Sequence, residues 1–201
     1  MFSNNINILA KNFKMIIIGI TGTIGAGKGT MVDYIVDCYG FKHLSVRQFL
    51  IDSLTQKGES INRDTMVALA NELRAAHKPS YITDCLYDQA LLSGENCIIE
   101  SIRTPGEVLS LREKENFFLF AVDAKPETRY ERIVKRNSET DHIDFETFVA
   151  NEKREMNSDN PNHQNLKKCI DLADFVFDNN GKIADLHQQI EDTLIKIKLE
   201  K

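Results

Sequence analysis

A glycine-rich segment with a single lysine is the part of the sequence best suited to bind a phosphate chain. It runs Gly22-Thr23-Ile24-Gly25-Ala26-Gly27-Lys28-Gly29-Thr30. Glycines let the backbone curl so that successive N–H groups face inward, and a following helix adds a favourable partial positive charge at its N-terminus. The Lys28 ammonium would then bridge the β- and γ-phosphates of a nucleotide. A turn that only joined a strand to a helix would not require lysine at that position, so the segment favours phosphate binding.

Arginines elsewhere in the chain have the spacing to assist such a ligand. Phosphoryl transfer passes through a state whose charge is spread over the equatorial oxygens, and converging cations stabilise that state. Arg132 and Arg136 are four residues apart in a helical segment and therefore share one face. Arg103 follows a buried strand, the position at which open parallel sheets bind ligands. We expect these three side chains to reach the phosphates. A solvated helix face is the alternative for the first two, and both interpretations stay open for Arg129.

The lysine segment lies between a predicted strand and a predicted helix, which is the context that a phosphate-binding loop needs. Met15 to Thr21 is a short apolar, β-branched run, typical of a buried parallel strand. From Gly29, apolar positions recur at helical spacing until Gly40 closes the segment. The lysine is therefore expected at the N-terminus of a helix.

Strands and helices alternate along the rest of the chain. Further strands are expected at Phe41 to Ser45, Asn96 to Ile102, Phe117 to Asp123 and Asp174 to Asp178. Helices are expected within Val46 to Lys57 and Arg63 to His77, before Gly94, between the third and fourth strands, at Lys125 to Asn137 and from about Lys182 to Lys198. This alternation predicts an α/β fold with a doubly wound parallel five-stranded sheet. The polar stretch from Ser138 to Asn165, with a helix at Phe145 to Met156, interrupts the rhythm and is where a lid would lie.

Length and composition are those of one globular domain. The chain has 201 residues, of which 42% are hydrophobic and 27% charged. Its net charge of -5 opposes broad binding to nucleic acid. Because no apolar run reaches the roughly 18 residues of a membrane helix, we expect a soluble, cytoplasmic protein. Residues 1–14 have neither a signal-peptide core nor transit-peptide arginines and are expected to form a disordered extension. The cysteines lack metal-binding or redox spacing and are expected to be structural: Cys38, Cys85, Cys97 and Cys169.

Several segments resemble those of the nucleoside monophosphate kinases. The residues GAGKGT are similar to the phosphate loop of the adenylate kinase branch of that family. NCIIESIRT resembles the strand and turn that carry an acidic residue and then an arginine holding the acceptor phosphate, which here would be Glu100 and Arg103. TRYERIVKR resembles the helix entering the lid, whose arginines approach the transferring phosphoryl group. ADFVFDNNG resembles the last strand and the adenine-contacting loop of adenylate kinase-like and dephospho-coenzyme A kinase-like proteins.

The resemblance implies a three-layer P-loop NTPase fold over residues 15–199 that uses ATP and Mg²⁺. It implies catalytic roles for Lys28, Arg103, Arg132 and Arg136. The donor nucleotide would contact the loop and one later residue: Gly22, Thr23, Ile24, Gly25, Ala26, Gly27, Lys28, Gly29, Thr30 and Asn180. Magnesium would be held by Thr30 and Glu100. The family usually has the hydroxyl residue directly after the lysine, where this chain has Gly29, and an aspartate at the position of Glu100. Asp123 could organise the metal through water or cap the next helix, and both remain open.

These features predict ATP-dependent phosphoryl transfer to a small phosphate-bearing metabolite, with a nucleoside or deoxynucleoside monophosphate as the first candidate. Residues from about 46 to 94 would bind the acceptor, and residues from about 137 to 165 would form the lid. In the acceptor region, Arg47 and Arg74 could contact the acceptor or be surface charges.

Two alternatives stay open. One is a dephospho-coenzyme A kinase, whose hydroxyl acceptor needs an aspartate base, and the corresponding stretch HLSVRQFL contains none. The other is a regulator that binds ATP without catalysis. In every case the expected partner is a small-molecule nucleotide, with no nucleic acid and no membrane, and the protein would be a monomer or a homodimer.

Overall fold

The computed structural model describes residues 15–137 and 142–197. The expected N-terminal extension, residues 138–141 of the lid region and the last residues of the chain lie outside the described ranges. Within them, five parallel strands form one sheet in the order β2-β3-β1-β4-β5. The strands are β1 (Ile17–Gly22), β2 (Lys42–Ser45), β3 (Cys97–Glu100), β4 (Phe117–Asp123) and β5 (Phe175–Asp178).

The strand β1 lies at the centre of the sheet. All six of its residues are buried, because neighbouring strands flank it on both edges and helices cover both faces. Ile17 lies beside Cys97 of β3 and Phe117 of β4 in the parallel register. The carboxyl ends of these three strands therefore meet at one edge of the sheet, directly before the loops that carry the candidate site residues.

Helices connect the successive parallel strands, as parallel pairing requires. They are α1 (Lys28–Tyr39), α2 (Val46–Lys57), α3 (Arg63–Ala76), α4 (Tyr81–Ser93), α5 (Pro105–Arg112), α6 (Pro126–Arg136), α7 (Phe145–Met156), α8 (Leu166–Asp171) and α9 (Ile183–Lys196). None of the helices in the described ranges is long and apolar enough to cross a membrane.

Adjacent residues of β1 enter two separate cores. Ile17 packs with residues of α2 to α5 and α8, whereas Ile18 packs with residues of α1 and α9 on the opposite face. The alternation of side chains along a strand produces this division. The structure thus has helices on both faces of a parallel sheet, which confirms the predicted three-layer, doubly wound P-loop fold.

One helix was not expected from the sequence. The helix α8 buries only Leu166 and Cys169, and its six residues are too few to display a helical period. Asn165 caps its start by accepting a hydrogen bond from the Lys168 amide over 3.1 Å. Its position matters because the Asn165 amide also donates to the Arg103 carbonyl over 2.8 Å, which fixes the loop after β3.

Candidate active site

The loop between β1 and α1 needs glycine at two positions. Gly25 has a φ of 76°, and a Cβ there would lie 2.5 Å from the Arg129 carbonyl oxygen. Gly27 has a φ of 108°, and its Cβ would lie 2.2 Å from the Asn179 Nδ2 atom. Both backbones are left-handed and both lie against other elements, so any side chain would distort the loop.

Side chains at the ends of β4 and β5 hold this loop. The Thr23 hydroxyl donates to Asp123 Oδ1 over 2.6 Å, and the buried Asn179 side chain donates to the Ala26 carbonyl over 2.8 Å. Asp123 also accepts from the Ala124 amide over 2.9 Å. The carboxylate of Asp123 therefore positions the loop. The alternative that Asp123 caps the next helix is wrong, because the N-cap residue of α6 is Lys125 and no side chain makes a cap hydrogen bond there. The role of Asn179 could not be predicted from the sequence, because it depends on where β5 ends relative to the loop.

Lys28 directs its ammonium back into the loop. Its Nζ donates to the carbonyls of Gly22 and Thr23, each over 2.9 Å. Burial and the positive charge of Arg103 lower the pKa of Lys28 from 10.5 to about 8, although the carboxylates of Glu100 and Glu155 oppose that shift. An anion bound at the loop would relieve this penalty.

A cavity of about 570 Å³ opens beside the loop. This volume lies within the range of about 300–1,000 Å³ that is usual for sites of small molecules. Among the residues that line it are the predicted Gly25, Gly27, Lys28, Gly29, Thr30, Glu100, Arg132 and Arg136, together with Asn179. Five of the ten residues predicted to contact the donor therefore lie around one space with Glu100, Arg132 and Arg136. The other five do not line it: Gly22, Thr23, Ile24, Ala26 and Asn180.

Arg132 offers this cavity an unused donor. Its Nη1 atom is buried and makes no hydrogen bond to any residue in the described ranges. A buried guanidinium N–H without a partner is costly, and an anionic ligand in the cavity would supply one. Arg136 lines the same cavity and its charge lowers the pKa of Lys28, so the two arginines act on the same space.

Thr30 and Glu100 supply oxygen atoms of the type that Mg²⁺ prefers, on the wall of the same cavity. Burial would raise the pKa of Glu100, but the hydrogen bond from His43 Nε2 over 3.2 Å and the charge of Lys28 hold it below its ordinary value. Glu100 is therefore an ionised carboxylate. The described residues contain no group of three or more histidine, cysteine or acidic side chains arranged to hold a metal. Phosphate oxygens and water would have to complete the shell of a magnesium ion here, as is usual for that ion.

A second cavity, of about 120 Å³, lies between α2, α3 and the loop after β3. One wall is apolar and is formed by Val46, Leu50, Met66, Val67 and Ala70. The remaining residues around it are polar. They are the four arginines Arg47, Arg63, Arg74 and Arg103, together with Ser101, Glu155 and Gln164. Within the described ranges Arg47 has no hydrogen-bond or ion-pair partner.

Three of the four arginines of this cavity are held by two glutamates. Arg103 Nη1 donates to Glu155 over 2.8 Å and to Gln164 over 2.9 Å, and Arg63 also donates to Glu155. Arg74 is buried and pairs with Glu107, with 2.8 Å between Arg74 Nη2 and Glu107 Oε1. Arg74 is thus not a surface charge, and its Nη1 atom has no partner among the described residues.

Backbone strain marks the turn between Glu100 and Arg103. Ser101 is buried and has a φ of 71°, a conformation that residues other than glycine seldom adopt. The next backbone amides are fixed by Glu107, which accepts from Arg103 N over 2.8 Å and from Thr104 N over 2.9 Å. This strained turn aims Glu100 at the first cavity and Arg103 at the second.

Arg129 and Asn180 do not line either of these cavities. Arg129 is buried and donates to the Ala124 carbonyl over 2.7 Å and to Glu152 over 2.5 Å, and it also reaches the Ile24 carbonyl of the loop. The Asn180 side chain accepts from the Lys125 amide over 2.8 Å. Arg129 therefore supports the loop from behind. A contact of Asn180 with adenine stays a prediction.

Comparison with known proteins shows where this arrangement belongs. A family model described as an AAA domain matches residues 18–160. A UPF0200 protein of Methanococcus maripaludis strain C6 is 30% identical over 186 residues, covering 91% of this chain and 98% of that protein. A UPF0200 protein of Methanocaldococcus jannaschii is 31% identical, and the match covers 91% of each chain.

Among solved structures, the protein TT1252 from Thermus thermophilus superposes with a TM-score of 0.60 at 20% identity, over 91% of this chain and 98% of that one. The shikimate kinase from Bacteroides thetaiotaomicron gives 0.55 at 14% identity, over 92% and 99%. Identities this low establish a shared fold alone.

Proposed function

The chain belongs to the AAA-domain family and to the UPF0200 proteins, and we propose that it transfers a phosphoryl group from ATP to a small phosphate-bearing metabolite. The 570 Å³ cavity beside the loop would hold the donor. The 120 Å³ cavity is below the range usual for a whole small molecule, so in this conformation it would hold the phosphate of the acceptor. A nucleoside or deoxynucleoside monophosphate is the first candidate for the acceptor.

The observation that carries this proposal is the shared electrostatics of the two cavities. Arg103 lines the second cavity, yet its charge lowers the pKa of Lys28 and of Glu100, which line the first. The two spaces are therefore close enough for charges on their walls to interact. A polyphosphate at the loop and an anion at Arg103 would then be near each other, as direct transfer requires.

The second cavity favours an anionic acceptor over a neutral hydroxyl. Among the described residues around it, Glu155 is the only acid. Burial would raise the pKa of Glu155, but Arg103 and Arg63 hold it below its ordinary value, so it is a weak base. A phosphate oxygen is already a nucleophile and needs no base, whereas a hydroxyl does. This difference supports a phosphate acceptor over the hydroxyl of dephospho-coenzyme A.

Each proposed catalytic residue has a distinct task. Lys28 would bind the donor phosphates, and Arg132 and Arg136 would neutralise charge on the group in transfer. Arg103 would bind the acceptor anion from its position after β3. Thr30 and Glu100 would hold Mg²⁺, which supplies neutralisation of the donor phosphates when bound. The loop residues, with Asn180 near the base, would bind ATP.

The lid prediction fits the position of α7. This helix lies within the predicted lid region, and its Glu155 side chain reaches the second cavity. Closure of such a segment over both substrates would exclude water and suppress hydrolysis of ATP.

A panel assay tests the proposed function. ATP consumption with magnesium is measured against ribo- and deoxynucleoside monophosphates and dephospho-coenzyme A, with the Lys28→Ala protein as the blank. Turnover of one monophosphate is the expected result. Turnover with dephospho-coenzyme A alone would replace the proposed acceptor by a hydroxyl, and tight ATP binding without any turnover would favour a regulator.

A further inference from the structure

Glu155 places a carboxylate between two arginines of the second cavity. The residue is 2% exposed and belongs to the last turn of α7. Its oxygens accept from Arg63, the first residue of α3, and from Arg103 after β3. Three elements that are distant in the sequence therefore meet at a single anion.

A carboxylate and a phosphate present similar oxygens to a guanidinium. The space that Glu155 fills between these arginines is thus also a suitable position for phosphate oxygens. We infer that Glu155 occupies the position of the acceptor's phosphate in the free protein, and that the acceptor displaces it. This inference rests on the proposed function. Glu155 would compete with incoming anions for Arg63 and Arg103 and would thereby determine which anions bind in the cavity.

The arginines retain donors that a carboxylate does not use. Arg63 Nε is buried and has no partner in the described part of the chain, although Arg63 Nη2 is bonded to Glu155. A phosphate monoester has three terminal oxygens where a carboxylate has two, so it can use this additional N–H. Arg47, on the same cavity, adds a positive charge that no described acid neutralises. Both features favour a phosphate over the resident carboxylate.

The arginine at the centre of the site would stay in place after Glu155 leaves. Arg103 Nη1 also donates to Gln164 over 2.9 Å, and the Arg103 backbone is fixed by Glu107 and Asn165. Departure of the carboxylate would therefore expose a preformed anion site.

The two ends of the helix that carries Glu155 are held differently. Phe148 is its only fully buried apolar residue, and Glu152 pairs with the buried Arg129. Glu155 follows these contacts, in the last turn of α7. Displacement of Glu155 would release this last turn from Arg63 and Arg103, so that acceptor binding and movement of this end of α7 are coupled.

The test is binding of inorganic phosphate without ATP, measured by calorimetry for the wild-type, Glu155→Gln and Glu152→Gln proteins. Glu152 lies one turn earlier on α7 and pairs with the buried Arg129, which does not line the second cavity, so it is a matched control. The Glu155→Gln protein should bind phosphate at least tenfold more tightly than the wild type, and the Glu152→Gln protein should not. The gain should vanish in Arg63→Met/Glu155→Gln, which leaves the loop of Lys28 intact.

Equal or weaker phosphate binding by a folded Glu155→Gln protein would overturn the inference. A second measurement needs no variant: saturating phosphate should increase hydrogen exchange in residues 145–156 of the wild type, and a decrease there would also overturn it. These results do not depend on catalysis. Phosphate binding as expected, with no transfer to any acceptor, would refute the proposed function alone. Transfer without the Glu155 effect would refute this inference alone.

Discussion

The depressed pKa of Lys28 predicts that ATP binding takes up a proton. In the free protein this pKa is about 8, because burial and Arg103 disfavour the charged ammonium. Phosphates beside the ammonium would favour the charged form and raise the pKa. The pKa is therefore higher in the complex than in the free protein, so protons are taken up on binding and affinity falls as pH rises.

The size of the effect follows from the pKa. With a value of about 8, the uncharged fraction of Lys28 in the free protein is about 0.1 at pH 7, about 0.5 at pH 8 and about 0.9 at pH 9. ATP binding should take up about those numbers of protons, and the apparent affinity should fall roughly tenfold between pH 7 and pH 9. Phosphate groups with a pKa near 6 are already ionised above pH 8, so they contribute little to the proton uptake in that pH range.

Calorimetry in buffers of different ionisation enthalpy measures this uptake. The matched variant is Lys28→Met, which has no titrating group at this position and should show no uptake at pH 9. If the wild type binds ATP at pH 9 without taking up protons, Lys28 is not the group that meets the phosphates.

Three further predictions concern stability and rate. Ser101→Gly should raise the free energy of unfolding by about 1 kcal/mol, because glycine removes the strain of the left-handed φ; Ser101→Ala, measured by urea denaturation, should give no such gain. Glu107→Gln should lower the free energy of unfolding by about 3 kcal/mol or more, because it leaves the buried Arg74 guanidinium without a counter-charge. A loss below about 1 kcal/mol in thermal and urea unfolding would contradict that pairing. Arg132→Met should lower kcat by about 10²-fold or more with little change in the melting temperature, because its buried Nη1 has no partner among the described residues. An unchanged kcat would remove Arg132 from the catalytic set.

Much of the fold could be predicted because the apolar runs are distinct. The strands β1 and β4 are apolar over most of their length, and the glycines at the end of β1 identify the loop. Arg132 and Arg136 could be grouped because a spacing of four residues places them on one helix face. The helix α8 could not be predicted, since six residues contain no recognisable period.

The parts of the site that could not be predicted depend on long-range pairing. Glu155 meets Arg63 across 92 residues and Arg103 across 52 residues. Nothing in the local sequence of α7 distinguishes this glutamate from the solvated Glu146 on the same helix. Asn179 likewise contacts the loop only because β5 ends beside it. The burial of Arg74 with Glu107 could not be predicted from the sequence for the same reason.

The most direct test of the two-cavity arrangement is the kinetic effect of Arg103→Ala, measured with the acceptor that the panel identifies. Because Arg103 lines the second cavity, the KM for the acceptor should rise tenfold or more while the KM for ATP changes less than twofold. Lys28→Ala should instead abolish transfer and weaken ATP binding. A normal acceptor KM in Arg103→Ala, or a defect confined to ATP, would show that the arginine cavity is not where the acceptor binds.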